Sequence, residues 1–550
     1  MKYLLISLFS FFIFHPSCYV SATPKYEVRA VWLTTIGGID WPHSYNSQRQ
    51  KEELCNTLDE LRQAGINMVL LQTRIRATTI FPSEMEPWDG CLSGHPGVSP
   101  GYDALQLAID ECHKRGMQLH AWVVTMPVGK WNAAGCKRLR QHNAKMLRKI
   151  GDEGYMNPEH PATADYLARF CRDLVRRYDV DGLHLDYIRY PETWPKAKNA
   201  AVRSERRSHI THIVRTIHQA VKSEKPWIML SCAPIGKHDD LSRYRSGGWN
   251  ARTAVCQDAQ QWMKEGLMDA LFPMMYFRDN QFFPFAIDWQ ERSYGRIVVP
   301  GLGIYLLDPR EGRWTLDVVE RQMNVTRQLG MGHCYFRSKF LTDNTKGIYD
   351  FCSRFDAVPS LVPPMTWMGT SSPAKPVDLR LEGNTLKWGR GKADGNGSYL
   401  LYNIYASREY PVDITKAENL MATRLTETSL RLPSAMLNGW NFAVTAMNRY
   451  GQESSEGGEL RTGSGELKTV LQNDSKLYPL HAQFYANDIH SVLDADFVIA
   501  ESLTGQVMGV FPYSSGIPAN ALPDGVYQLR SLHKKGRTHR LGYFSVKRKR

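Results

Sequence analysis

Two residues near the middle of the chain carry the strongest chemical signal. His184 and Asp186 stand two apart in the run Asp181-Gly182-Leu183-His184-Leu185-Asp186-Tyr187-Ile188-Arg189-Tyr190-Pro191. Side chains of an extended strand alternate between faces, so His184 and Asp186 share one face and Leu183, Leu185 and Tyr187 the other. A polar pair on an inner face is costly to bury without partners or a task. It reads either as acid–base machinery or as a structural hydrogen-bond pair in which Arg189 holds Asp186. Cleavage of a glycosidic bond needs two carboxyl groups, one protonated to assist the leaving oxygen and one ionised. Asp186 is the first candidate. Spacing does not single out the second: Asp258, opening the helix after the fifth strand, leads, and Glu192 and Asp288 follow.

Other strand ends add groups suited to holding a substrate. The first strand ends in Arg29-Ala30-Val31-Trp32, the second carries Gln72-Thr73-Arg74, the third His120-Ala121-Trp122, the sixth Pro273-Met274-Met275-Tyr276 and the eighth His333-Cys334-Tyr335-Phe336-Arg337. Trp32 and Trp122 serve equally as platforms for sugar rings or as filling for the interior. Arg74 suits either a protein carboxylate, which it would keep ionised, or an acidic substituent of a substrate. With Asn157, His184, Arg189 and Tyr305, these give the substrate-binding candidates Arg29, Trp32, Arg74, His120, Trp122, Asn157, His184, Arg189, Tyr276 and Tyr305. Trp, Tyr, His and carboxylates at one mouth fit a carbohydrate better than a phosphorylated metabolite. No Gly-rich phosphate loop and no carboxylate–His cluster stands in the sequence, so no metal and no cofactor is expected.

The elements that must position these groups alternate regularly. Candidate strands are Val28–Thr34, Ile66–Gln72, Met117–Val124, Gly182–Tyr187, Trp227–Cys232, Ala270–Tyr276, Ile297–Pro300 and Gly332–Phe336. Amphipathic stretches lie between them, among them Gln50–Gln63, Tyr102–Lys114, Ala164–Tyr178, Val202–Val221, Thr253–Lys264 and Leu316–Leu329. Gly65, Gly116, Gly266 and Gly330 follow such stretches as helix stops. Eight strand–helix units in residues 25–357 predict a (β/α)8 barrel of class α/β, whose working groups sit at the C-terminal ends of the strands. An open doubly wound sheet is the runner-up, but the first strand has no G-x-G-x-x-G behind it. Residues 358–373, rich in Pro, Ser and Thr, read as a linker. Short alternating runs over 374–463 predict a small all-β sandwich, and 466–550 a second β-rich unit.

Bulk properties narrow the partners. Lys plus Arg number 68 against 55 acidic residues, a net charge of +13, but the excess is spread along the chain and no nucleic-acid motif accompanies it. A basic surface suits acidic polysaccharide or lipid. Residues 1–22 read as a signal peptide: Lys2, the apolar run Leu4 to Phe14, then Val20-Ser21-Ala22. Export to the periplasm or cell surface of a Gram-negative bacterium is expected, with outer-membrane attachment if Cys18 is lipidated. The other nine cysteines have no metal or disulfide spacing, and most sit among apolar residues as small buried side chains.

The barrel resembles the glycosyl hydrolase-like family 10 of bacterial envelope proteins. The residues that carry the likeness are Glu27 through Thr35, Gln72-Thr73-Arg74, Phe81-Pro82-Ser83, Glu86-Pro87-Trp88, His120-Ala121-Trp122, Asn157-Pro158, Asp181 through Pro191, Gln257-Asp258, Trp262, Glu265-Gly266 and Pro273-Met274-Met275-Tyr276. The resemblance implies a (β/α)8 glycosidase acting on peptidoglycan glycan strands, with functional positions at Asp186, Arg189, Arg74, Trp122, Asn157 and Asp258. The sequence departs from the family pattern at Tyr187, often Asp, and at Met275, often Gln. Residues 374–462 resemble a fibronectin type III domain through Trp388, Tyr402-Asn403-Ile404-Tyr405 and Phe442 through Ala446. The last unit is similar to β-sandwich sorting tails. A glycan-binding protein on a decayed barrel is the alternative from another class.

Overall fold

The computed structural model describes residues 23–461 except 243, 245–247, 370, 392–399 and 434–435, and four later strands, Phe497–Ser502, Val507–Pro512, Gly525–Leu532 and Thr538–Val546. The signal peptide and Cys18 lie outside the described residues.

All eight expected strands form: Arg29–Leu33, Met68–Arg74, Gln118–Val124, Gly182–Asp186, Met229–Cys232, Ala270–Leu271, a split seventh strand of Ile297–Val298 and Gly301–Leu302, and His333–Tyr335. Each pairs in parallel with its sequence neighbour, and the eighth pairs with the first (Arg29 opposite His333). The seventh strand closes the ring. Ile297 and Val298 face the sixth strand, Gly301 and Leu302 the eighth. Across the split, Val299 N donates to Leu271 O at 2.9 Å and Gly301 N to Pro273 O at 2.8 Å, while Pro300 O accepts from Cys334 N at 3.0 Å. Proline has no N–H to give, so the strand is interrupted there without the ring opening.

The strands alternate as a barrel requires. Ala30, Trp32, Leu70, Trp122, Phe272 and Cys334 fill the interior. Val31, Leu33, Val69, Leu71, Leu183 and Leu185 pack outward against the helices. The helices fall close to expectation, for instance Ser47–Gln63, Ala104–Lys114, Pro161–Arg177, Ala200–Glu224 and Leu316–Gln328. The stretch expected as one helix over Thr253–Lys264 is two, Ala251–Ala254 and Ala259–Lys264. All four glycine stops have positive φ. At Gly65 a Cβ would also lie 2.5 Å from that of Asp356. The sequence did not reveal the excursion after the third strand, an antiparallel sheet of Pro127–Lys130, Leu147–Ile150 and Glu153–Met156 with a helix over Ala134–Asn143.

Residues after the barrel correct one expectation. The supposed linker is fixed against the floor of the barrel, the end where the strands begin. Leu361 exchanges backbone hydrogen bonds with Lys25 and Glu27, Trp367 Nε1 donates to Asp269, and Val362 and Met365 join the interior cluster. A sandwich follows, with Val377–Glu382, Thr385–Gly389 and Ser429–Arg431 in one sheet and Leu420–Leu425, Leu401–Ser407, Asn441–Met447 and Gly458–Arg461 in the other. Its core holds Leu386, Trp388, Tyr402, Ile404, Phe442 and Val444. The sandwich also touches the floor: Tyr450 lies in the barrel's interior cluster, and Arg449 meets Asp179 at 2.8 Å. The last four strands form one antiparallel sheet, so a second sheet for that unit is not among the described residues. Among the described residues nine cysteines are free and eight of them buried, in keeping with their reading as small core residues.

Candidate active site

Asp186 ends the fourth strand, and its side chain points inward from the mouth of the barrel. Its Oδ2 accepts from Trp122 Nε1 at 3.1 Å and its Oδ1 from the backbone N–H of Tyr187 at 2.7 Å. The backbone carbonyl accepts from both Thr125 N and Thr125 Oγ1. No cation lies within ion-pair distance of the carboxyl among the described residues. Burial pushes its pKa up, and the opposing pull of Arg189 and the two N–H donors does not cancel that. The result is a carboxyl group that keeps its proton to higher pH than a free aspartate, which suits a proton donor.

The chain turns sharply after Asp186. Tyr187 takes φ +53°, which breaks the alternation, so its ring is 38% exposed rather than packed with Leu183 and Leu185. The Arg189 guanidinium lies 4.3 Å from the centre of that ring. Arg189 is buried, and its Nη2 donates to Glu192 at 2.7 Å. Its Nε and Nη1 are buried without a hydrogen-bond partner among the described residues. Glu192, 46% exposed at its side chain, acts electrostatically on both Asp186 and Tyr187. The opposite wall is aromatic. Tyr276 packs on Tyr305 and Phe336 with ring centres 5.7 and 5.3 Å away. Its hydroxyl is buried and bare among the described residues, and burial, reinforced by Cys334 and Asp186, drives its pKa far up. Asp186, Arg189, Glu192, Tyr187 and Tyr276 therefore form one electrostatic neighbourhood.

His184 and Trp32 lie one layer below. A tryptophan N–H can only donate, so His184 Nε2 accepts from Trp32 Nε1 (3.2 Å) and His184 Nδ1 carries the proton toward Ser231 Oγ (3.0 Å). Burial, then His120, keeps this imidazole neutral. With both nitrogens engaged and no exposed surface, His184 supports the site from beneath and is not a substrate ligand. Trp32, 2% exposed and edge-on to His184, Phe272 and Phe336, is interior filling. Trp122 is buried too and acts through its bond to Asp186.

Six further candidates turn out to be held by the protein itself. Arg29 begins its strand and so stands at the floor, sealed between Glu27 (2.8 Å) and Asp356 (3.2 Å). His120 sits low in the third strand and bonds Gln118 at 3.0 Å; a Cβ on the neighbouring Gly182 would fall 2.3 Å from its Nδ1. Arg74 is fully buried: its Nε and Nη2 grip both Glu86 oxygens at 2.7–2.9 Å, and its Nη1 donates to the carbonyls of Val124 and Thr125. It positions the end of the third strand beside Asp186 and leaves nothing for a substrate. Asp258 faces the outer helix layer, with His238 at 3.3 Å, Arg252 at 3.6 Å and Arg207 at 3.7 Å. Burial raises its pKa, and the hydrogen bond from His238 together with Arg252 and Arg207 more than reverses this. No contact joins it to the Asp186 group among the described residues. Asp288 is likewise spoken for, by Gln260 and Arg292. Asn157 is half-buried and closes its own turn, accepting from Glu159 N and Thr163 Oγ1. Glu192 is the carboxylate that the fold brings to Asp186, and its place six residues along the same loop was the available signal.

With this geometry in view, likeness to known proteins can be weighed. The model of the family described as Glycosyl hydrolase-like 10 matches residues 27–203 and 187–305, half of the chain. The chain belongs to that family. Glycosyl hydrolase YngK of Bacillus subtilis (strain 168) is 27% identical over 413 residues, 68% of this chain and 81% of that protein. Glycosyl hydrolase DigH of Escherichia coli (strain K12) is 29% identical over 288 residues, 46% of this chain and 65% of that protein. Among solved structures, the PgaB (BpsB) glycoside hydrolase domain from Bordetella bronchiseptica overlaps with TM-score 0.41 at 12% identity, covering 59% of this chain and 98% of that one. A β-amylase catalytic domain from Paenibacillus polymyxa gives TM-score 0.40 at 10% identity, covering 60% and 95%. As a member of the glycosyl hydrolase-like 10 family, the chain is a glycoside hydrolase with a carbohydrate substrate.

Proposed function

We propose that the protein cleaves O-glycosidic bonds in peptidoglycan glycan strands, with Asp186 as proton donor and Glu192 as the ionised carboxylate. The observation that carries this reading is the carboxyl of Asp186 at the mouth, with a raised pKa and no counter-cation in contact, beside an arginine with two bare nitrogens. Asp186 protonates the leaving oxygen as the bond breaks. Glu192, held by Arg189, either activates water or stabilises the charge that develops on the sugar. The bare nitrogens of Arg189 fit a carboxylate on the substrate. A muramic acid unit offers one on its lactyl group once the peptide is gone. Tyr276 and Tyr305 supply the aromatic wall, with the Tyr276 hydroxyl free to bond a sugar oxygen. The signal-like N-terminus supports export to the periplasm or cell surface. The sandwich after the barrel, with three strands facing four, supports the fibronectin type III likeness.

The test is release of reducing ends from purified sacculi, with and without prior amidase treatment. Wild-type protein should release them faster from the amidase-treated material, and Asp186→Asn should release them about a thousandfold more slowly while still binding the glycan. Equal turnover by Asp186→Asn, or no release from either preparation, rejects the reading.

A further inference from the structure

The motifs Phe81-Pro82-Ser83 and Glu86-Pro87-Trp88 do not touch the site around Asp186, which Glu86 reaches only through Arg74. Their Pro82, Ser83 and Trp88 help to form one wall of a groove of about 730 Å³ on the side of the barrel. Met85 and Trp88 line it from the loop, and Arg169, Arg172, Arg176 and Arg177 from the facing helix Pro161–Arg177. That volume is in the usual range for small-ligand pockets, roughly 300–1,000 Å³. Only Glu84 and Asp173 oppose the four arginines, so two positive charges remain. Asp173 is shared between Arg176 at 2.7 Å and Arg177 at 3.4 Å, while Arg172 has no hydrogen-bond or ion-pair partner among the described residues. The loop is anchored from behind. Glu86 is clamped by the buried Arg74, and Tyr166 of the helix donates to the same carboxylate at 3.1 Å. Both walls are thus fixed before anything binds, which lowers the ordering cost of binding.

We propose that this groove is a second glycan-binding site, for an acidic oligosaccharide. Its carboxylates pair with Arg172 and, in exchange for Asp173, with Arg176, while the apolar face of a sugar ring lies on Trp88. Guanidinium groups match carboxylates in geometry as well as charge. A half-buried indole beside them adds a flat apolar surface that a purely ionic partner would not use. Such a site would keep the enzyme on a polyanionic strand between cleavages, whichever bond the mouth cuts.

Calorimetric titration of the full chain with tetragalacturonate tests this, with neutral chitotetraose as control. Tetragalacturonate should bind and weaken as salt rises. Arg172→Glu should weaken it by about tenfold or more, the scale of losing and reversing one charge-assisted contact. Because Arg172 is exposed, that variant should keep the wild-type melting temperature. The Arg172-dependent binding should survive Arg189→Met, because anything that variant removes belongs to the separate site at the mouth. Unchanged affinity in Arg172→Glu, equal binding of the neutral sugar, no binding of the charged one, or loss in Arg189→Met alone would each overturn the proposal. So would sedimentation with phosphatidylglycerol vesicles that Arg172→Glu abolishes without any tetragalacturonate binding, which would assign the groove to a lipid headgroup.

Discussion

The two ends of the barrel handle charge in opposite ways. At the floor three buried carboxylates meet basic partners directly. Asp356 touches Arg29, Arg327 and His333; Asp181 touches His113 and Arg424; Asp269 touches Lys222 and Arg296. Arg29, Arg424 and His333 each keep one bare nitrogen, but each also stands directly against a carboxylate. At the mouth Asp186 has only N–H donors, Arg189 spends one nitrogen on a half-exposed glutamate, and Tyr276 has a bare hydroxyl. Bare atoms occur at both ends, so what sets the mouth apart is a buried carboxyl with no counter-ion among the described residues, an arrangement that costs stability and is kept where a ligand uses it. The floor is built for stability and the mouth for a substrate, although both are made from the same residue types on the same strands.

That contrast can be broken by substitution, with the largest expected effect first. Asp186→Asn keeps the shape and removes the proton, so turnover on the glycan should fall by about a thousandfold, within the range for a lost general acid. The check is reducing-end release, beside an unchanged circular dichroism spectrum. A floor residue should behave the other way. Asp356→Ala strands Arg29 and Arg327 and removes the partner of His333, and should cost about 3–5 kcal/mol in urea unfolding, while the molecules that remain folded keep their kcat. A turnover loss as large as that of Asp186→Asn would erase the distinction.

Arg189→Met should lower kcat/KM roughly a hundredfold, the scale of a misplaced or unheld substrate, with little change in unfolding free energy. If it destabilised the protein as much as Asp356→Ala, Arg189 would belong with the structural ions.

The pH dependence of stability should split along the same line. At Asp356 burial alone would raise the pKa, but Arg29, His333 and Arg327 more than reverse this, so the folded group holds its proton less tightly than the unfolded chain does. Its stabilisation is therefore complete above the ordinary carboxylate range and is lost as pH falls toward the folded value. Asp186 has the opposite sign. Its folded pKa lies above the unfolded one, so its contribution is present in acid and is lost as pH rises through the folded value. Asp186→Asn should therefore melt about 1–3 °C higher than wild type at neutral pH, with no gain in acid. Scanning calorimetry over a pH series checks this, and a gain at both ends would reject the account.

Much of the barrel was legible in the sequence because alternation and helix stops are local signals. All eight strands fell at the short, mainly apolar runs that stand between amphipathic stretches, and the inward pair His184 and Asp186 followed from a period of two. The errors have one physical source: whether a polar group faces its own protein or a ligand depends on partners far along the chain. Arg29 finds Asp356 more than 300 residues away, and Arg74 finds Glu86 only because the intervening loop folds back. Both Arg29 and His120 do stand early in their strands, a local sign of the floor. Asp258 looked like a mouth residue because it opens a helix, yet a helix start can face outward, and this one faces Arg207 on the neighbouring helix. Glu192 ranked below it for want of any pattern, since a loop has no periodicity to read.

The place of Tyr450 bears on how the molecule holds together. A side chain that belongs to the sandwich acts as a stopper in the underside of the barrel, beside Val362 and Met365. Trimming the protein back to its catalytic unit would pull that stopper out, admit water beneath Trp32 and Phe272, and strip Asp181 of Arg424. The two bodies should consequently melt in a single cooperative transition, and the appended module is better understood as part of the enzyme's foundation than as a tether.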